Sequence, residues 1–126
     1  MPNPSVGHFF LQRLINAFNN SVAAFSHLFR HETAFKQECL LLLVAIPAAG
    51  LISSDVVGFI LLLSVIVLIM LVEVLNTAIE AVCDALTTEF DANIKIAKDC
   101  GSLAVLIACC IALVVWMLAL VNWLTG

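Results

Sequence analysis

Glu73, Asn76, Glu80 and Asp84 stand at intervals of 3, 4 and 4 residues in the middle of the chain. On a helix, at about 100° per residue, they fall within roughly 80° of one another and form one acidic and amide stripe. Glu32, Glu89, Lys98 and Asp99 add charged groups expected on the same side of a membrane. Carboxylates with a lysine suit a Mg2+–nucleotide site. Mg2+ takes few protein carboxylates and fills its shell with phosphate oxygens and water, and a lysine supplies charge to a phosphoryl group in transfer. No phosphate-binding glycine loop accompanies them: Gly50, Gly58 and Gly101 are isolated, and GxxxxGK[ST] does not occur.

Depth distinguishes the two central glutamates. Val56–Val72 is an apolar run whose one hydroxyl is Ser64, and Glu73 follows it without a break. Glu73 therefore stands where a helix leaves the hydrocarbon, a costly place for a carboxylate and a functional site by default. A hydroxyl-bearing lipid presents its head group at that depth, which suits Glu73 to general-base work. The competing structural reading is a buried carboxylate that fixes helix packing. These residues describe a membrane enzyme acting on a lipid head group; alone, they do not specify a kinase. A small proton-coupled transporter is the reading from another class. It would want its carboxylate deeper in the bilayer, and has no use for Lys98 and Asp99 side by side.

Other elements must hold the stripe at the membrane. The 126 residues, enough for one domain, are 63% hydrophobic and 11% charged, with mean hydropathy +1.16. A soluble domain of this size cannot hide that much apolar surface, so the chain reads as an all-α integral membrane protein. Residues 1–6, with two prolines, are expected to be a loose tail, and no signal segment is expected to be cleaved. Phe10, Leu14, Phe18, Val22, Phe25 and Phe29 recur at helical spacing and predict an amphipathic surface helix over about 7–29. Helices over 34–54, 55–86 and 99–123 are expected to contain three spans. The turn Ser53-Ser54-Asp55 offers a cap for the second span, Pro47 is expected to kink the first, and Thr87–Lys98 reads as a polar loop. Ala104, Ala108 and Ala112 form a small-residue stripe on the third span. The five cysteines, with no CxxC pair, read as small packing residues. Three spans place all five basic residues, Arg13, Arg30, Lys36, Lys95 and Lys98, on one side. The positive-inside rule makes that side cytoplasmic and puts the C-terminus in the periplasm.

Three blocks carry a resemblance. Glu32-Thr-Ala-Phe35-Lys-Gln-Glu38, Val72-Glu73-Val-Leu-Asn76-Thr-Ala-Ile-Glu80-Ala-Val and Ala97-Lys98-Asp99-Cys-Gly101-Ser102 resemble, in content and spacing, the motifs of the prokaryotic diacylglycerol kinase family. The similarity runs from about Arg13 to Trp123. It implies a small homotrimeric kinase of the bacterial inner membrane that phosphorylates diacylglycerol from MgATP. By motif position, Glu73 resembles the family's general base and Asn76 a polar residue beside it. Glu32 and Glu80 resemble its metal-coordinating carboxylates. Nucleotide contacts are implied for Arg13, Asn20, Glu32, Glu80, Glu89, Phe90, Asp91, Lys98 and Asp99. Lipid-substrate contacts are implied for Arg13, Ala34, Glu38, Glu73 and Ser102. Departures gather in the surface helix, where Asn20 stands at a position that is often aromatic. Undecaprenol kinases share the same catalytic block, so the motifs leave the lipid acceptor open between the two alcohols.

Overall fold

The structure, a computed structural model, describes residues 4–126. They form four helices: α1 (Pro4–His31), α2 (Thr33–Ile52), α3 (Val56–Leu86) and α4 (Ala92–Thr125). The last three are long and apolar enough to cross a membrane. At 1.5 Å per residue, the 31 residues of α3 span about 46 Å and the 34 of α4 about 51 Å, against a roughly 30 Å hydrocarbon core. Both are therefore longer than the hydrocarbon core is thick.

The helix bounds differ from the sequence expectation in places with local causes. α1 begins at Pro4, so the expected loose tail is helical from there; proline is at home in a first helical turn, where its missing N–H costs nothing. Residues 1–3 lie outside the described residues. α1 also runs to His31, two residues past the expected end, leaving Glu32 as the single residue between α1 and α2. The expected loop Thr87–Lys98 shrinks to residues 87–91. Asp91 caps α4, its Oδ1 accepting from the backbone N–H of Asn93 at 2.8 Å and of Ile94 at 3.2 Å, so the polar residues after it are helical. Asp55 caps α3 in the same way, accepting from Gly58 N–H at 2.7 Å.

Contacts divide the chain into two compact units, one through Lys36 and one over Gln37–Gly126. In the first, Phe35 packs edge-on against Phe25 with ring centroids 5.4 Å apart, and Phe25 stacks on Phe29. Leu28 and Phe35 are buried, whereas Phe9, Phe10 and Phe18 are exposed, a Phe-rich surface suited to a lipid interface.

In the second unit α3 packs along α4, the one extensive helix–helix contact among the described residues. The α3 face is Leu62, Ile66, Ile69, Glu73, Asn76, Glu80 and Cys83, at alternating intervals of 4 and 3. The α4 face is Ile94, Lys98, Gly101, Val105, Ala108, Ala112, Val115 and Ala119, on the same alternation. That is the heptad spacing of two helices packed side by side. Lys98 meets Asp84, Gly101 meets Asn76, and Trp116 Nε1–H donates to the Leu62 carbonyl at 3.1 Å, so the two helices run antiparallel. Ala45 of α2 joins Val65, Ile66, Ile69, Ala108 and Ala112 in the apolar core. Of the expected alanine stripe, Ala108 and Ala112 are buried and Ala104 is exposed. Gly101 takes the third place because it shares their phase on the helix. All five cysteines are free; Cys83 lies buried in the seam, whereas Cys100, Cys109 and Cys110 are exposed.

Candidate active site

Of the polar stripe, Glu73, Asn76 and Glu80 lie in the upper half of the α3 face, and Asp84 lies off it. Glu73 and Asn76 are each only 8% exposed, and Glu80 is half-buried. Asn76 Nδ2–H donates to Glu80 Oε1 at 3.2 Å, one helical turn along. Its Oδ1 is buried without a hydrogen-bond partner among the described residues, as is Oε2 of Glu38. Glu38 is close enough to Glu73 for their charges to interact. Asp84 is exposed and accepts from Lys98 Nζ at 2.6 Å, while Asp99 pairs with Lys95 one turn away on α4. The lysine and the aspartate expected to meet a nucleotide are thus held by partners at the end of the α3–α4 pair.

Buried carboxylate, buried amide and half-buried carboxylate lie in a row directly above an apolar seam. Seven residues separate Glu73 from Glu80, about 10.5 Å along the axis. Such a row can present one carboxylate to a hydroxyl at membrane depth and a second to a cation nearer the water. Among the described residues, no group of three or more His, Cys, Asp or Glu side chains is placed to hold a metal ion. Carboxylate oxygens are the protein donors that Mg2+ takes, with phosphate oxygens and water completing its shell.

Comparison with known proteins decides the family. The sequence model described as prokaryotic diacylglycerol kinase matches residues 19–120. The chain belongs to the prokaryotic diacylglycerol kinase family. It is 39% identical to the diacylglycerol kinase of Pseudomonas aeruginosa over 121 residues, 96% of this chain and 98% of that protein. The diacylglycerol kinases of Haemophilus influenzae and Escherichia coli K12 are also 39% identical, over 84% and 86% of this chain and 90% and 88% of their own lengths.

The other residues that the family motifs single out are placed as follows. Glu32 is half-buried, its N–H bonded to the Leu28 carbonyl at 2.8 Å and its own carbonyl to Lys36 N–H at 3.3 Å. It thus closes α1 and opens α2. Ala34 follows in the first turn of α2, exposed. Arg13, outside the span matched by the family model, lies over the ring of Phe9 at 5.8 Å, and Asn20 is exposed on α1. Glu89 and Phe90 are exposed in the short loop; Glu89 N–H bonds Thr87 Oγ1 at 3.0 Å, and Phe90 is 85% exposed. Asp91 serves as the α4 cap, a role that its position inside the expected loop did not reveal. Ser102 is exposed on α4 beside the buried Gly101.

Proposed function

We propose that this chain transfers the γ-phosphoryl group of MgATP to the free hydroxyl of diacylglycerol, giving phosphatidate and ADP. The observation that carries the reading is the α3 face, on which buried Glu73 and Asn76 and half-buried Glu80 continue an apolar seam upward out of the membrane core. Family membership and the names of the relatives support the same substrate. Glu73 takes the hydroxyl proton as the oxygen attacks phosphorus. Glu80 and Glu32 would hold Mg2+, which would supply charge neutralisation at the phosphate chain. Asn76 orients Glu80 and lies between the two ends of the reaction. Lys98, Asp99, Glu89, Phe90, Asp91, Asn20 and Arg13 meet the nucleotide, and binding exchanges the Asp84–Lys98 and Lys95–Asp99 pairs for contacts with it. Arg13, Ala34, Glu38 and Ser102 meet the lipid.

The reading extends to place and assembly. The five basic residues, all on one side of three spans, support a cytoplasmic face for the site in a bacterial inner membrane and a periplasmic C-terminus. One protomer leaves large apolar residues exposed on every span, Leu43, Val67 and Leu113 among them, which supports burial against further copies in a homotrimer as well as against lipid. The deciding test is phosphate transfer from labelled ATP in mixed micelles, with diacylglycerol and undecaprenol side by side. Faster labelling of diacylglycerol is expected; preference for undecaprenol, or transfer to neither, overturns the reading. A cytosol-dependent reporter is expected to work when inserted at residues 89–91 and to fail at Gly126. Native mass measurement in gentle detergent is expected to give three chains.

A further inference from the structure

Gly101 has a specific neighbour. A Cβ built on it would lie 2.1 Å from Oδ1 of Asn76 and 3.2 Å from that residue's Cγ. No real Cβ approaches an oxygen so closely, and the atom in the way is not the end of a long flexible chain but a short, buried amide. Asn76 is 8% exposed, and its Oδ1 has no hydrogen-bond partner among the described residues. Its other end is committed, because only the Nδ2 amino group can donate to the carboxylate of Glu80 at 3.2 Å. The amide is therefore fixed from both sides: Glu80 orients the nitrogen, and the bare backbone of α4 leaves room for the oxygen.

We infer that Gly101 is a positioning residue that holds the Asn76 amide, and through it the Glu80 carboxylate, in working orientation. The inference rests on the reading of Glu80 as a Mg2+ ligand. Any side chain at 101 must turn the Asn76 amide or push α4 away from α3. Turning the amide far enough to clear a Cβ would carry its Nδ2 off the Glu80 carboxylate and release Glu80 from its orientation. Gly101 also shares its helix phase with Ala108 and Ala112, so general close packing is the rival explanation, and a double-mutant cycle separates the two.

The experiment compares wild type, Gly101→Ala, Asn76→Ala and the double variant, purified in the same detergent. Each is measured for diacylglycerol-dependent ATP turnover over a Mg2+ titration, and for thermal midpoint. A wild type without lipid kinase activity would sink the proposed function and leave the thermal cycle to judge this inference alone. With an active wild type, Gly101→Ala is expected to lose on the order of 10²-fold in turnover, the scale of a misplaced group, and to need more Mg2+ for half-maximal rate. Added to Asn76→Ala, it is expected to change neither turnover nor Mg2+ requirement by more than about twofold, since the atom it would strike is gone. The thermal midpoint lost in Gly101→Ala is expected to return in the double variant, and this reading serves even where the single variant does not fold. Losses that multiply in turnover and add in midpoint would show two independent roles and overturn the inference. So would a Gly101→Ala enzyme with normal turnover and normal Mg2+ dependence.

Discussion

The α3–α4 seam has an apolar half and a polar half built on one spacing. From Leu62 to Ile69, the α3 face meets Ala108, Ala112 and Trp116, and the fixed polar link is the Trp116 indole N–H on the Leu62 carbonyl. From Glu73 to Glu80 the same 4 and 3 intervals continue, but the occupants are a carboxylate, an amide and a second carboxylate, with Gly101 against the amide. Alanines and glycine on α4 let the helices approach in both halves. The lower half gains dispersion and shape fit from that approach. The upper half uses it to bury groups that would be cheaper in water, a cost that a purely structural pair of helices has no reason to bear. The comparison shows that one packing frame can serve both as anchor and as mount for reactive groups, and that the two uses should separate under mutation.

The largest separation is expected at Glu73. Glu73→Gln keeps shape and volume, so folding and MgATP binding should persist, while turnover falls by at least about 10²-fold. Phosphate transfer into diacylglycerol, beside ATP binding by calorimetry, checks both halves of that statement. Glu38→Gln, although its Oε2 is buried with no hydrogen-bond partner among the described residues, should cost much less. If Glu38→Gln abolished turnover and Glu73→Gln did not, the base would be misassigned. Glu80→Gln comes next. The Mg2+ concentration for half-maximal rate should rise on the order of 10- to 100-fold, with little change in thermal midpoint.

In the apolar half the pattern should reverse. Ala108→Leu, at a site 3% exposed, overpacks the seam and should cost about 1–3 kcal/mol of stability, seen as a lower thermal midpoint. The surviving folded enzyme should turn over within about twofold of wild type, because Ala108 packs among Val65, Ile66 and Ile69, with Glu73 about one turn and Asn76 about two turns further along α3. The smallest effect belongs to Trp116→Phe. It removes the N–H to the Leu62 carbonyl, a net loss of about 0.5–1.5 kcal/mol, and should leave the Mg2+ requirement unchanged.

Much of this arrangement was readable in the chain because it is periodic. The stripe Glu73–Glu80 and the long apolar runs announce a membrane helix that carries its polar face upward, and the structure has that helix with Asp55 as its cap. What escaped depended on a partner or on a short local signal. Asp91 caps α4, yet the residues from Asn93 to Lys98 read as loop, since polarity says nothing about backbone once a cap is in place. The Asp84–Lys98 pair joins residues 14 apart, and nothing local in either helix foretells it. The stripe Ala104, Ala108, Ala112 had the right residue type and an incomplete choice of face. A phase shared with Ala108 and Ala112 at intervals of 7 and 4 would have selected Gly101 instead of Ala104. Which residues of the first unit meet nucleotide or lipid rests on motif position, not on any local pattern.

The unbroken alternation from Leu62 to Cys83 also limits how α3 can change in length. One residue inserted between Ile69 and Glu73 would rotate everything above it by about 100° and lift it about 1.5 Å, turning Glu73, Asn76 and Glu80 off the seam together. Seven inserted residues would restore the angle, but carry the three groups about 10.5 Å away from Gly101 and from the depth at which a lipid hydroxyl lies. Phase and height are locked to each other, so α3 can accept substitutions one by one while its residue count between Leu62 and Glu80 cannot drift.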